Sequence, residues 1–281
     1  MFQRVCHISL ERPDSVSTIG STPAWVGEGV ATCVMGNTLY AVGIGHARDE
    51  LWKWNAASDW TRCEDMTSYR RDHCAAVVDS TLYALSGWDA DRTRLRSVEA
   101  YNTQTNEWSA AGQLTHAVSD AACVSYNNSI YVFSGQGASG WAVAHVQVYD
   151  AAQHKCILLH NAMPRAYASM RAVVWETYAI LLCDVTCLIY NYETKTWQER
   201  SSFKTDVQYF GLAVDKQTLY IAGGGSAHVK DKDNKVIWTC TAEVRSVSVR
   251  DVIEDKQGAC WTHHATLPQP ALVSAFSLVP L

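Results

Sequence analysis

One phrase recurs five times along the chain and limits the fold more than any other property of the sequence. NTLYAV (37–42), STLYAL (80–85), NSIYVF (128–133), TYAILL (177–182) and QTLYIA (217–222) each read as a short strand of β-branched and aromatic residues entered from a polar turn. An apolar run precedes each one: VATCVM, CAAVV, AACVSY, RAVVW and FGLAV. Aligned on Tyr40, Tyr83, Tyr131, Ala179 and Tyr220, the phrases lie 43, 48, 48 and 41 residues apart. A third feature follows in most units: WNAASDW (54–60), YNTQTNEW (101–108), YDAAQHKC (149–156) and YNYETKTW (190–197). An aromatic, a polar turn and a second bulky residue describe a hairpin whose arms carry facing side chains. Four short strands in roughly 45 residues is the size of a propeller blade. A sandwich of unrelated hairpins has no reason to keep this phase.

Length then counts the blades. At this spacing 281 residues make about six copies of one unit rather than two domains. Five units are complete, over about 29–65, 69–112, 116–162, 166–203 and 207–267. A sixth, degenerate blade is expected from 1–25 together with 271–281 (ALVSAFSLVPL), strands from both termini closing the ring without an open edge. The expected fold is all-β: a single six-bladed propeller over 1–281 with four-stranded blades.

Composition removes several function classes. The net charge of -5 argues against sequence-independent phosphate binding, which needs a surplus of Lys and Arg, so no nucleic acid is expected. The longest apolar stretch, Ala172 to Tyr190, is broken by Glu176 and Asp184, so no membrane helix is expected. The N-terminal MFQRVCHISLERP lacks the apolar core of a secretory signal. Ten cysteines in that context point to a reducing cytosol, hence a cytoplasmic protein, and not to a disulfide framework. Cys33, Cys74 and Cys123 sit inside apolar runs as small core residues. Cys260 beside His263 and His264 has no second ligand pair at zinc-like spacing, so no metal and no cofactor are expected.

These repeats resemble the kelch repeat, whose marks are a Gly doublet closing the second strand and a Tyr–Trp pair in the third and fourth. The doublet is intact at Gly223-Gly224, altered at Gly43-Ile44-Gly45, Ser86-Gly87 and Ser134-Gly135, and absent at Leu182-Cys183. The aromatic pair is intact at Tyr101/Trp108 and Tyr190/Trp197 and altered at Trp54/Trp60 and Tyr149/Cys156. The Gly, Tyr and Trp of these marks shape turns and fill the spaces between blades. The nearest likeness is to the propeller of BTB–kelch proteins, which recruit substrates to a cullin-based ubiquitin ligase. No BTB or BACK region is visible in this chain, so the resemblance implies a cullin partner only for a longer gene product.

In a propeller the loops of one face carry binding, held by the rigid ring. Two loop sets alternate there, those after each second strand and those between blades. Eight arginines fall in them in an otherwise acidic chain: Arg48, Arg70, Arg71, Arg92, Arg94, Arg96, Arg165 and Arg171. Arg with Tyr and Trp is the composition of interface hot spots, flat aromatic area beside a planar cation that takes carboxylates bidentately. The candidate binding residues are Tyr69, Arg71, Trp88, Arg92, Arg94, Trp141, Arg165, Tyr167 and Tyr209. The expected partner is a protein that offers an acidic or extended peptide segment. The alternatives are a stand-alone kelch scaffold or cytoskeleton-associated protein, and a propeller enzyme of the epimerase, sialidase or metal-dependent oxidase type. No Glu here is followed by Asp at +4 and His at +8, as the iron-bearing specifier propellers require, and GGGS (223–226) leads into a charged loop and not a helix. No catalytic residue is assigned, and the expectation is a non-enzyme.

Overall fold

The computed structural model describes residues 4–8, 16–21, 29–46, 48–230 and 236–269, with side chains over 29–46, 48–226 and 239–269. A two-stranded hairpin comes first, β1 (Arg4–Ile8) against β2 (Val16–Ser21). Blade 1 is β3 (Ala31–Met35), β4 (Thr38–Ile44), β5 (Glu50–Asn55) and β6 (Ser58–Arg62). Blade 2 is β7 (Cys74–Val78), β8 (Thr81–Leu85), β9 (Ser97–Asn102) and β10 (Glu107–Gln113). Blade 3 is β11 (Ala122–Tyr126), β12 (Ser129–Phe133), β13 (Val146–Asp150) and β14 (Lys155–Leu158). Blade 4 is β15 (Arg171–Trp175), β16 (Tyr178–Leu182), β17 (Cys187–Asn191) and β18 (Thr196–Glu199). Blade 5 begins with β19 (Gly211–Asp215) and β20 (Thr218–Ala222), inserts a hairpin of β21 (Gly225–Lys230) and β22 (Val236–Cys240), and resumes with β23 (Glu243–Ser248) and β24 (Thr262–Thr266). The short helix α1 (Val249–Glu254) follows β23, with Ser248 as its N-cap.

Every blade is an antiparallel sheet, and its strands stand in sequence order from inside to outside. The first strands pack side by side, β3 on β7, β7 on β11, β11 on β15 and β15 on β19, around a central channel. The all-β propeller with four-stranded blades is therefore present, but the blade count is corrected. Among the described residues there are five four-stranded blades, not six. Two features depart from length divided by spacing: blade 5 is lengthened by its own hairpin and helix, and Arg4–Ile8 pairs with Val16–Ser21 in a separate two-stranded sheet. The segment 271–281, expected to close the ring, lies outside the described residues.

Register also moves one residue. Tyr40, Tyr83, Tyr131 and Tyr220 hold the third position of their strands, where they oppose Cys33, Ala76, Val124 and Ala213. In blade 4 the third position is Ile180, opposite Val173, and Ala179 stands one place earlier. The facing pairs Tyr101/Trp108, Tyr149/Cys156 and Tyr190/Trp197 are direct cross-strand partners. Trp54 and Trp60 are not, because β5 and β6 slip at a bulge between Lys53 and Asn55.

The apolar cores lie between consecutive blades, and the aromatic donors stitch those seams. Trp108 Nε1 donates to the Glu64 carbonyl at 2.9 Å, Trp175 Nε1 to that of Lys216 at 2.6 Å and Trp261 Nε1 to that of Phe203 at 3.2 Å. The Tyr149 hydroxyl donates to the Ala111 carbonyl of the previous blade. An aromatic with a polar tip suits this work, since the ring packs into the seam while the tip bonds a carbonyl across it. One seam contains ions. Arg70 Nη2 lies 2.8 Å from Glu99 Oε1, with the side chains 0% and 4% exposed.

Candidate functional site

The loop after each second strand returns to the same end of the blade as the start of its first strand. In blades 2, 3 and 5 it is pinned there by a reciprocal pair of backbone hydrogen bonds, Arg71 with Trp88, Ser119 with Gln136 and Gln208 with Gly225. A second bridge joins Trp88 to Arg94 and Gln136 to Ala142. Trp88 therefore stands as the middle of three strand-like segments, with Arg71 and Arg94 as its cross-strand neighbours. Their guanidinium carbons lie 5.8 and 5.6 Å from the Trp88 ring centre, within cation–π range.

This cluster is held from below. Trp88 Nε1 donates to Asp72 Oδ2 at 2.7 Å, and the same carboxylate oxygen lies 3.5 Å from Arg71 Nε. Arg94 donates from Nε to Ser119 Oγ at 3.2 Å and from Nη2 to Gln136 Oε1 at 3.0 Å. Both acceptors are neutral, so they orient the Arg94 charge without cancelling it. Two oriented guanidiniums beside an indole, one of them already facing Asp72, have the chemistry to meet a carboxylate or phosphate.

The cluster borders the mouth of the central channel, a cavity of about 390 Å³ lined there by Arg71, Asp72, Trp88, Asp120, Arg171 and Tyr209. Two residues before each first strand the backbone turns left-handed, at Gly29, Asp72, Asp120, Ser169 and Tyr209. From blade to blade these residues hand on a hydrogen bond, Asp72 N–H to Gly29 O, Asp120 N–H to Asp72 O and Ser169 N–H to Asp120 O. The Ser169 hydroxyl donates to the Asp120 carboxylate. Burial raises the Asp120 carboxyl above its ordinary value, the Ser169 hydrogen bond and Arg171 pull it back, and Asp72 pushes it up again. Neither Asp72 nor Asp120 is among the nine residues expected from the sequence. Their shared offset from the following strand was the available signal.

His73, next to Asp72, is buried between Gly43 and Gly87. Burial, and then the charges of Arg70 and Arg48, push it down to about 3. The folded chain therefore keeps His73 neutral while the unfolded chain protonates it near 6.5, so stability present above that pH is lost on acidification. Between pH 7 and pH 5 the loss from this group is about 2 kcal/mol. Urea unfolding at the two pH values should show it in the wild type, with the pH effect smaller by that amount in His73→Gln. Equal pH effects in both would refute the assignment.

Not every loop arginine belongs to the face. Arg48 and Arg70 are interior, 6% and 0% exposed. Arg96 Nε donates to the Leu114 carbonyl at 2.9 Å, and Arg171 begins β15 beside Asp120. Of the nine candidates, Arg71, Trp88 and Arg94 form one cluster, and Tyr209 lies at the channel mouth with Arg71 and Trp88. Arg92 is exposed at the tip of the turn closed by Arg92 N–H to Asp89 O, away from that cluster's contacts. Tyr69 is half-buried in the connection into blade 2, and Arg165 is exposed in the connection into blade 4. Tyr167 is half-buried, and its main chain fixes the blade 3 loop through the Ser134 hydroxyl and the Gly135 N–H. Trp141 is 79% exposed at the tip of the blade 3 loop. Among the described residues no group of three His, Cys, Asp or Glu side chains is placed to hold a metal ion, and His264 packs its ring on Tyr220. No helix among them is long and apolar enough to cross a membrane.

Comparison with known proteins agrees with this geometry. The Kelch motif family matches residues 69–115, which is blade 2 with its flanks. Kelch-like protein 35 of Mus musculus is 28% identical over 212 residues, 74% of this chain and 36% of that protein. Kelch repeat and BTB domain-containing protein 4 of Homo sapiens is 28% identical over 183 residues, 63% of this chain and 34% of that protein. The chain thus spans about a third of the length of these relatives. The solved structure of YjhT superposes with a TM-score of 0.72 over 86% of this chain and 85% of that one, at 12% identity, which speaks to the fold alone. Repeats, blades and relatives together describe a propeller of four-stranded blades that carries a Kelch motif in blade 2 and resembles the kelch domain of the BTB–kelch proteins.

Proposed function

We propose that this propeller is a protein–protein interaction module that binds an extended, acidic segment of a partner protein on its loop face. In a longer gene product carrying a BTB region it would be the substrate-recognition part of a cullin-type ubiquitin ligase adaptor in the cytosol. The observation that carries the reading is the Arg71–Trp88–Arg94 cluster, in which Arg94 is oriented by neutral acceptors and left to meet an anion. A carboxylate arriving there gains charge-assisted hydrogen bonds on side chains already fixed, so little entropy is lost on binding. The likeness to kelch-like and BTB-containing proteins supports the reading as an interaction module.

The test is affinity capture from cytosol on the immobilised wild-type chain and on Arg94→Glu. The variant is expected to lose an acidic partner by about 2 kcal/mol or more, roughly thirty-fold in Kd. Its melting temperature should stay within a few degrees of wild type, because Arg94 is half-buried and bonded only to neutral side chains. Identical capture by both proteins would sink the reading.

A further inference from the structure

The cationic cluster occupies only part of the loop face, and the surface next to it has a different character. Trp141 is the most exposed of the large apolar side chains among the described residues, at 79%. It is not on a slack loop. Gly137 N–H donates to the Trp141 carbonyl at 2.9 Å and Gly140 N–H to that of Gly137 at 2.9 Å, closing a tight turn, while Gln136 and Ala142 bridge at its base. Gln136 is also the residue that accepts from Arg94. The turn that presents Trp141 is thereby tied to the guanidinium cluster through one side chain. From blade 2 to blade 3 the face thus passes from oriented guanidiniums to an exposed indole.

Resting on the acidic-segment reading, we propose that the loop face is a two-part reader. The partner segment places a carboxylate on Arg71 and Arg94 and, farther along the same extended stretch, a large apolar side chain against Trp141. Charge complementarity fixes the first contact. Continuity through Gln136 makes the second part of the same interface and not a separate patch. A preformed turn holding a bare indole loses little conformational freedom on contact, which is what an anchor residue at an interface needs.

Selection of displayed random 12-residue peptides on immobilised wild type, Trp141→Ala and Arg94→Gln tests this. Wild type should enrich peptides with Asp or Glu at one position and Leu, Ile, Phe, Trp or Tyr at a constant separation from it. Trp141→Ala should keep the acidic preference, lose the apolar one, and bind a wild type-selected synthetic peptide at least tenfold more weakly with an unchanged melting temperature. Arg94→Gln should do the converse. Acidic peptides without a recurring apolar position, or equal affinity for Trp141→Ala, would overturn the two-part reader and leave the acidic-segment reading intact. No enrichment at all, or binding indifferent to Arg94, would overturn both.

Discussion

Replacing Arg70 with methionine is expected to destabilise the fold by about 3–5 kcal/mol, because it leaves the Glu99 carboxylate buried without its counter-charge. The pair is enclosed, and its remaining valences are used. Arg70 also donates to the Ser86 and Ser97 carbonyls at 2.9 and 3.1 Å and to Ser97 Oγ at 2.8 Å, and Glu99 accepts from the Thr67 N–H at 2.8 Å and its hydroxyl at 2.5 Å. Burial pulls the Glu99 carboxyl upward, yet the Thr67 hydrogen bonds and Arg70 outweigh it and hold the group below its ordinary value. The next blade shows what the ions replace. There Gln147 stands at the place of Glu99, accepting from the Thr115 hydroxyl at 2.7 Å and the His116 N–H at 2.8 Å, and buried Val118 stands at the place of Arg70. The double variant Arg70→Met with Glu99→Gln copies that neutral arrangement while keeping the volume. It should regain most of the loss in urea unfolding. A single variant as stable as wild type, or a double variant no better than the single, would refute this account.

The same comparison between blades shows what could be read in the sequence. Strand phrases and their phase announced four-stranded blades because a half-buried strand needs its apolar alternation and a hairpin needs its turn residues, both of which are local. The number of blades was not local. It depended on whether Gly225–Lys230 and Val236–Cys240 paired as strands and on whether Arg4–Ile8 and Val16–Ser21 joined a four-stranded sheet, and composition decides neither. The arginines divide in the same way. Arg70 and Arg71 are neighbours in one connection, yet one is sealed against Glu99 and the other flanks Trp88. Turn geometry sends adjacent side chains to opposite sides of the backbone, and Glu99 that claims Arg70 lies 29 residues away. Loop composition could indicate a cationic face but could not say which cations were already paired.

Substituting alanine for Gly87 is expected to cost about 3 kcal/mol or more and to weaken peptide binding along with stability. Two demands meet at this residue. Its φ of +86° lies where an L side chain is disfavoured, a penalty of roughly 1–2 kcal/mol. An added Cβ would also lie 2.6 Å from the Arg71 carbonyl oxygen and 2.8 Å from His73 Cβ. That carbonyl is fixed, because it accepts from the Trp88 N–H at 3.0 Å. The methyl group can be housed only by moving the Arg71–Trp88 bridge, and with it two members of the cluster proposed to read the partner. Gly135 repeats the constraint in blade 3, at φ +96° and 2.7 Å from the Ser119 carbonyl. Gly140 separates the two costs, since it has φ +84° but open space where the Cβ would go. Gly140→Ala should therefore lose only about 1–2 kcal/mol. The first position of the doublet behaves differently. Ser86 adopts φ +61° without a hydrogen bond to its hydroxyl, so Ser86→Gly should be neutral or stabilising by up to about 1 kcal/mol. Chemical unfolding of the three variants gives the order directly, and Gly87→Ala as mild as Gly140→Ala would show that the close approach of backbone to backbone does not hold this loop in place.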